Sequence, residues 1–325
     1  MKRVVYFRAD ADSEIGYGHF MRTLALAEVL SSKYDCRFAT KAPTDFQRSC
    51  LKDVCRLIEL TSDERRFADF ANMIEGGEIV VLDNYFYDEE YECQLRQKGA
   101  SVLLIDNLHT RHTFADAVLG FAMGLKETDY SVEPYAKLYL GPAYSLIRKS
   151  FINQLTTPHP SIRNYDKLKV VISFGGADIT GVASSISSML SKLDNVQSVL
   201  VIGKPFDGTK FDHKITFRSG LTSEEMKDAF VENDIAVLSV STTFFEAMAC
   251  GIPIIGGYHV NNQIVNYGNI INGTGIIGCG DLQDERNRLK VKELINDRDF
   301  IKTYQPQSVI PYCLEQNLLS VFKSL

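Results

Sequence analysis

The chain has 325 residues, of which 45% are hydrophobic, and its 41 acidic and 35 basic side chains give a formal net charge of -6. This length exceeds what one hydrophobic core usually supports, so we expect two globular domains. The acidic balance and the scattered Lys and Arg residues argue against a nucleic-acid-binding protein, because phosphate backbones are bound by clustered basic side chains.

Strand patterns alternate with helix patterns through the first half of the chain, which is typical of a parallel sheet covered by helices. The apolar run from Val4 to Phe7 predicts a first strand, and the apolar stripe from Leu24 to Leu30 predicts the helix that follows it. Further strands are predicted at 35–40, 56–60, 79–82, 102–105, 117–119 and 137–140, with helices from 44, at 63–74 and at 88–98.

The prolines and the missing apolar period of residues 153–166 predict a linker between an N-terminal domain, 1–152, and a C-terminal domain, 167–325. A second alternation follows, with strands at 168–173, 196–202, 215–217, 235–238 and 252–255, helices at 179–190, 223–232, 243–249 and 260–271, and a last helix at 314–322 that packs on one of the domains. We therefore predict an α/β protein of two doubly wound Rossmann-like domains, with the ligand in a cleft at the carboxyl ends of both sheets.

The loop between the first strand and its helix is the most informative stretch. Gly16 and Gly18 allow the backbone to approach a ligand closely, and the helix start favours a negative charge. His19 lies in the first turn of the helix, where it could exchange a proton with a bound molecule. An ordinary turn beside a surface or core histidine has the same spacing, so the pattern alone does not decide.

The second domain contains two further candidate sites at helix starts. Gly175 and Gly176 follow a strand and permit close backbone approach, as a phosphate or a sugar would need, although a tight turn without a ligand fits equally well. The hydroxyl residues Ser241, Thr242 and Thr243 could hold a diphosphate, with Glu246 one turn later accepting hydrogen bonds from a ribose diol. A capping box with a solvated glutamate is the competing interpretation.

Polar residues also follow several other strands. Asn262 and Gln263 open a helix and could bind hydroxyl groups, as polar caps also do. Asp10, Asp83-Asn84 and Asp106-Asn107 each follow a predicted strand of the first domain, so they could line one pocket with His19. Each could instead cap a helix, and Mg²⁺ coordination is less favoured because the residues lie on separate loops.

Five blocks of the sequence, in this order, resemble the PseG family, the UDP-2,4-diacetamido-2,4,6-trideoxy-β-L-altropyranose hydrolases. They are Arg8-Ala9-Asp10, the loop from Gly16 to Arg22, Gly141 to Arg148, Ile172 to Asp178, and Ser241 to Pro253. Two stretches depart from the family pattern, Asp106-Asn107 and Leu119 to Ala122, both in the half expected to hold the sugar.

The resemblance implies a GT-B architecture similar to that of MurG, with UDP held by the C-terminal domain and the sugar facing the N-terminal domain. It implies that His19 is the base that activates water for attack at the anomeric carbon, releasing UDP with inversion. Asp10, Arg22 and Asp83 would then orient the histidine, the water or the sugar. The matching block from Gly141 to Arg148 places Tyr144 and Arg148 among the predicted substrate-binding residues.

The leading hypothesis is therefore a cytoplasmic UDP-sugar hydrolase that needs neither metal nor cofactor and supplies a free sugar for pseudaminic acid synthesis. The alternatives are a GT-B glycosyltransferase with a UDP-sugar donor, or a non-catalytic protein that binds sugar nucleotides. No signal peptide or long apolar span is visible, and the seven cysteines contain no CxxC pair. We expect no membrane partner, and a monomer is favoured.

Overall fold

The computed structural model describes residues 2–12, 16–157, 165–177, 180–204, 211–274, 276–304 and 308–325, without the side chains of 177, 204, 262 and 265. Two compact units make up the chain. Unit 1 consists of Met1–Lys149 together with Cys313–Leu325, and unit 2 consists of Ser150–Tyr312.

Unit 1 alternates strands and helices from its first residues onward. Its elements in chain order are β1 (Val4–Arg8), α1 (Gly18–Leu30), β2 (Asp35–Lys41), α2 (Asp45–Leu51), β3 (Arg56–Leu60), α3 (Arg65–Ala71), β4 (Ile79–Leu82), α4 (Glu89–Gln97), β5 (Ser101–Ile105), β6 (His112–Thr113), β7 (Ala117–Gly120), β8 (Ser131–Val132) and β9 (Lys137–Leu140). Helix α5 (Lys149–Gln154) begins at the last residue of this segment and continues into unit 2.

Seven of these strands form one parallel sheet in the order β3-β2-β1-β4-β5-β7-β9. The order reverses between β1 and β4, because the chain runs outward from β1 to β3 and then returns to β4. In open parallel sheets ligands bind beyond the carboxyl ends of the strands at such a reversal, the switch point. The loops after β1 and β4 are therefore the expected ligand-binding loops of unit 1.

Unit 2 repeats this construction with six strands. Its elements are β10 (Leu168–Ala177), α6 (Val182–Leu190), β11 (Val196–Lys204), β12 (Ile215–Arg218), α7 (Ser223–Val231), β13 (Ile235–Ser239), α8 (Thr242–Cys250), β14 (Ile254–Tyr258), α9 (Ile264–Thr274), β15 (Ile277–Asp281), α10 (Glu285–Asn296) and α11 (Arg298–Thr303). The parallel sheet has the order β12-β11-β10-β13-β14-β15, so its switch point lies between β10 and β13.

The C-terminal helix α12 (Leu314–Lys323) belongs to unit 1, whereas we predicted residues 167–325 as one domain. Its apolar face is buried, with Leu314 and Val321 fully inaccessible and Phe322 in ring contact with Tyr34 at 5.9 Å. The Lys137 ammonium group also donates to the carbonyl of Ser324 at 2.7 Å. An amphipathic pattern predicts that a helix packs, but not which core receives it.

The predicted boundary also differs from the structure. The units divide between Lys149 and Ser150 rather than after residue 152, and α5 occupies the start of the predicted linker. Most of the remaining linker, 158–164, lies outside the described residues. Elsewhere the predicted strands match β1 to β5, β7 and β9 to β14. The elements β6, β8, β15, α5, α10 and α11 were not predicted.

Candidate active site

His19 lies at the switch point of unit 1 and is held by an aspartate from the neighbouring strand end. It is the second residue of α1, is 7% exposed, and places its ring Nδ1 2.7 Å from Oδ1 of Asp83, the residue directly after β4. Nη2 of Arg22 lies 2.9 Å from the same Nδ1, but it donates to the same oxygen of Asp83. A carboxylate only accepts hydrogen bonds, so we assign the proton of the shorter His19–Asp83 contact to Nδ1. The other ring nitrogen, Nε2, then has a free lone pair and can act as a base.

Two other residues of α1 hold the same carboxylate. The Arg22 Nε donates to Asp83 Oδ2 at 2.6 Å, and the Thr23 hydroxyl donates to the same oxygen at 2.8 Å. Burial by itself would raise the pKa of Asp83, but the charge and hydrogen bonds of Arg22, together with the hydrogen bond from His19, lower that pKa below its ordinary value. Asp83 therefore stays ionised beside His19 at neutral pH.

Two aromatic side chains lie beside this cluster, and neither was predicted as a site residue. Tyr85 stands edge-on to the His19 ring, with centroids 4.7 Å apart, and is 58% exposed. The Arg22 guanidinium lies 5.5 Å from the centre of the Phe121 ring. Burial tends to lower the pKa of Arg22, but Asp83 and Tyr85 outweigh it and raise that pKa. Tyr85 follows Asp83-Asn84 directly, which was the only sequence signal for it.

Asp10, predicted as a catalytic residue, contacts Arg8 instead of His19. Both side chains are fully buried and form an ion pair, with Arg8 Nη2 3.0 Å from Asp10 Oδ2. The Asp10 carboxylate also accepts the backbone N–H of Lys41 at 2.8 Å. A buried guanidinium requires a buried anion, and Asp10 supplies it. Among the described contacts none joins Asp10 to His19.

Asn84, predicted as a substrate-binding residue, is used to tie two loops together. Its Oδ1 accepts the backbone N–H of Asp10 at 2.7 Å, and its Nδ2 donates to the Asp10 carbonyl at 3.1 Å. The carboxylate of Asp106 likewise accepts the backbone N–H groups of its own loop, at Leu108 and His109. Of the polar residues predicted to line one pocket, Asp83 is the one in contact with His19.

Tyr144 and Arg148 were also predicted to bind substrate. Tyr144 packs edge-on against Tyr139, with ring centroids 5.4 Å apart. Burial raises the pKa of the Cys50 thiol, and the positive charge of Arg148 tends to lower that pKa. The next backbone N–H, of Lys149, donates to the Glu28 carboxylate at 2.9 Å. Glu28 is nine residues beyond His19 on α1, about 13 Å along the helix axis. The described contacts of Tyr144 and Lys149 are thus with residues outside the His19 cluster.

The glycine loop reaches the cluster through its backbone. Gly16 has a φ of +78°, a conformation that other residues rarely adopt, and its N–H donates to the Asp12 carbonyl at 2.9 Å. Gly18 is the first residue of α1, and Tyr17 at the N-cap makes no side-chain capping bond. The loop thus leads directly into the first turn of α1, where His19 lies.

At the switch point of unit 2, α8 begins directly after β13. Ser241 is its N-cap with an extended backbone but makes no side-chain capping bond, and Thr242 and Thr243 are the first helical residues. Glu246 is 4% exposed. The competing interpretation, a capping box with a solvated glutamate, is therefore wrong on both points. No side-chain cap therefore occupies the positive end of the α8 dipole.

The remaining predicted residues of unit 2 lie at the same sheet edge. Gly175, with a φ of +105°, and Gly176 form the end of β10, adjacent to β13 in the sheet. Gln263 lies in a short 3-10 helix after β14, where its Oε1 accepts the backbone N–H of His259 at 3.1 Å. The side chain of Asn262 lies outside the described part of the chain.

Within the described residues, no three His, Cys, Asp or Glu side chains come together as metal ligands would. In the same part of the chain, no helix combines the length and the apolar character needed to cross a bilayer.

Comparison with curated proteins gives distant relatives, and no protein-family model matches the chain. The chain is 28% identical over 193 residues to the UDP-2,4-diacetamido-2,4,6-trideoxy-β-L-altropyranose hydrolase of Campylobacter jejuni, covering 58% of this chain and 66% of that protein. It is 24% identical over 262 residues, 76% of this chain and 54% of the relative, to an uncharacterized protein of Methanocaldococcus jannaschii. The matches thus span about half to two thirds of these relatives.

Solved structures show the fold. MurG of Acinetobacter baumannii matches with a TM-score of 0.58 and 13% identity, over 100% of both chains. HepE of Anabaena, solved with UDP and glucose, matches with a TM-score of 0.60 and 11% identity, again over 100% of both chains. This chain has the GT-B fold. The predicted α/β class with two Rossmann-like units is confirmed.

Proposed function

We propose that the chain hydrolyses a UDP-linked 2,4-diacetamido-2,4,6-trideoxy hexose at its anomeric carbon, releasing UDP and the free sugar. The observation that carries this proposal is the His19–Asp83 pair at the switch point of unit 1, which leaves Nε2 of His19 free to accept a proton. The C. jejuni relative is named for this reaction, and the structurally similar HepE was solved with UDP and glucose.

In the proposed step, Nε2 of His19 takes a proton from water as the water oxygen attacks the anomeric carbon. The bond between that carbon and the diphosphate oxygen breaks, and its electron pair leaves with UDP. The imidazolium that forms is stabilised by the Asp83 carboxylate at 2.7 Å from Nδ1. Arg22 keeps this carboxylate ionised and in place, so its role is to support the pair.

Unit 2 is proposed to hold the nucleotide. Helices α1, α6 and α8 follow the switch-point strands β1, β10 and β13 and begin without a capping side chain, as α3 and α12 also do. The helix after the fourth switch-point strand, α4, is capped by Asp88, and α2, α7, α10 and α11 are also capped. Backbone N–H groups at the start of α8 could therefore bind the diphosphate and stabilise the departing UDP. Glu246 is proposed to accept hydrogen bonds from the ribose hydroxyls.

Substitution of His19 by Asn tests the proposal, because an Asn amide can keep the bond to Asp83 while it removes the base. The purified chain should release UDP from the UDP-sugar without an acceptor, followed by UDP assay and by NMR of the anomeric protons. The H19N variant should release UDP about 10³-fold more slowly while its UDP affinity stays unchanged. Release at the wild-type rate would contradict the assignment of His19 as the base.

His112 provides the matched control. It belongs to unit 1 and bonds to Ser131 and Glu133, so His112→Asn should leave UDP release unchanged. The likeness to MurG and HepE supports a glycosyltransferase as the second candidate. In that case His19 activates an acceptor hydroxyl, and UDP release requires an acceptor. A sugar-nucleotide-binding protein would show neither reaction, and Glu246→Ala would abolish its binding.

A further inference from the structure

The Asn84 side chain joins the two loops that form the switch point of unit 1. It bonds to both the N–H and the carbonyl of Asp10, at 2.7 and 3.1 Å, and is only 6% exposed. One loop follows β1 and the other follows β4, so these two bonds extend the pairing of the strands past their ends. The Asn84 side chain thus makes the hydrogen bonds that one further residue pair of the β1–β4 pairing would make.

The Asp10 backbone is itself fixed from the other side. Its carboxylate is paired with the fully buried Arg8, lies 3.4 Å from Nε of Arg66, and accepts the backbone N–H of Lys41 at the end of β2. Asn84 is therefore bonded to a backbone segment that other contacts already hold in place. The cost of breaking the Arg8–Asp10 pair inside the protein keeps that point in place.

Asp83 lies between two fixed backbone positions. Its own N–H donates to the Arg8 carbonyl at 3.1 Å, and the peptide that follows it leads into Asn84. With both flanking positions held, the Asp83 carboxylate stays within hydrogen-bonding distance of His19, Arg22 and Thr23. A loose backbone here would let the carboxylate turn away from Nδ1.

We propose that Asn84 is a positioning residue, whose bonds to the Asp10 backbone hold Asp83 against Nδ1 of His19 and so keep the free lone pair on Nε2. This inference rests on the proposed function, in which Nε2 is the base. It reassigns Asn84 from substrate binding, since its amide oxygen and nitrogen are both bonded to Asp10. Arg8 and Asp10 act indirectly, because their ion pair holds the backbone segment to which Asn84 is bonded.

The test is the protonation pattern of the His19 ring, measured by NMR of the full chain labelled with ¹⁵N and assigned by comparison with H19N. In the wild type above the titration range of histidine, His19 should show one tautomer, with the proton on Nδ1. Asn84→Ala should replace it with a mixture in which the proton is also found on Nε2. A ring pattern in N84A identical to that of the wild type overturns the proposal.

Asn195→Ala is the matched control for a general loss of stability. Asn195 is also a buried asparagine that donates to a backbone carbonyl, that of Ile295 at 2.8 Å, but it lies in unit 2. N195A should leave the His19 pattern unchanged, and a change equal to that in N84A would overturn the proposal. If N84A does not fold, Asn84→Ser keeps one hydrogen-bonding group, and the same comparison decides.

This measurement needs no substrate, so it separates the positioning role from the proposed reaction. Should the chain release no UDP, the ring pattern of N84A still supports or overturns the role of Asn84. Where UDP release is observed, N84A should lower kcat by roughly 10²-fold with KM nearly unchanged, because only the placement of the base is altered. An equal kcat in N84A and wild type would contradict the proposal.

Discussion

At the scale of single residues, one carboxylate organises the candidate active site of unit 1. Asp83 is fully buried and meets His19, Arg22 and Thr23 with its two oxygens. An unpaired carboxylate would be costly in such a place, and Arg22 removes that cost by supplying a positive charge. Asp10 is the second residue after β1, whereas Asp83 is the first after β4, and the Asp10 carboxylate is paired with Arg8. Asp83 therefore bonds to His19, whereas Asp10 is already paired with Arg8.

Substitution of Asp83 by Asn is predicted to lower UDP release about 10³-fold, because an amide no longer enforces the Nδ1 proton or stabilises the imidazolium. It should also lower the free energy of unfolding at neutral pH by about 3 kcal/mol, because Arg22 loses its buried partner. UDP assay and chemical denaturation check the two effects. Asp69→Asn, at an exposed aspartate of unit 1, should change stability by less than about 0.5 kcal/mol.

The stability effect of D83N has a defined pH dependence. The pKa of Asp83 is lower in the folded chain than its ordinary value, so its ionisation stabilises the fold above the unfolded pKa of about 3.9. This stabilisation is lost as the pH falls through the lowered folded pKa. The gap between wild type and D83N should therefore narrow in acid, and a gap that stays constant down to acidic pH would contradict the role of the charge.

At the scale of elements, the start of α8 differs from the starts of α7 and α10 because it has no side-chain cap. Thr222 caps α7 and Asp284 caps α10 with side-chain oxygens, so those N–H groups are already bonded. Ser241 leaves α8 without such a cap at the switch point of unit 2. The helix dipole adds to the exposed donors there, which favours an anion.

Thr242→Pro tests whether backbone N–H groups of α8 bind the diphosphate. Proline is tolerated at the first position of a helix, and the extended Ser241 suits a following proline, so the helix should persist with one donor fewer. UDP affinity measured by calorimetry should fall roughly tenfold, the effect of one hydrogen bond to a charged group. Thr242→Ala keeps this N–H group, so its UDP affinity should fall less than that of Thr242→Pro.

Glu285→Pro is the control at an equivalent helix position. Glu285 is the first residue of α10, and the Asp284 cap bonds to the N–H of Arg286, so proline removes no capping bond. UDP affinity of this variant should equal that of the wild type. Equal affinities for Thr242→Pro and wild type would exclude the Thr242 N–H as a phosphate donor.

At the scale of the whole molecule, the chain builds two parallel sheets with the same reversal of strand order and then returns to the first. Helix α12 comes last in the sequence but completes unit 1, where Leu318 is 1% exposed. Asn317 also donates to the Ala143 carbonyl at 3.1 Å. Unit 1 therefore cannot complete its core until the last residues of the chain are available.

Leu318→Ala is predicted to destabilise unit 1 by about 2 to 5 kcal/mol, because it leaves a cavity under α12. Leu289→Ala on α10, where the leucine is 41% exposed, should change stability by less than about 0.5 kcal/mol. Hydrogen exchange followed by mass spectrometry checks where the effect falls. Faster exchange confined to residues of unit 2 would contradict the assignment of α12 to unit 1.

The sequence by itself determined the α/β class, the two Rossmann-like units and most of the strands, and it identified His19, Ser241 and Glu246 as candidate site residues. These follow from local periodicity and from residues next to strand ends, which are properties of short segments. Only the tertiary structure decided that Asp83 and not Asp10 meets His19, that Asn84 ties two loops, and that α12 belongs to unit 1. Each of these three contacts joins residues that are far apart in the sequence, and local sequence patterns do not predict which distant residues pack together.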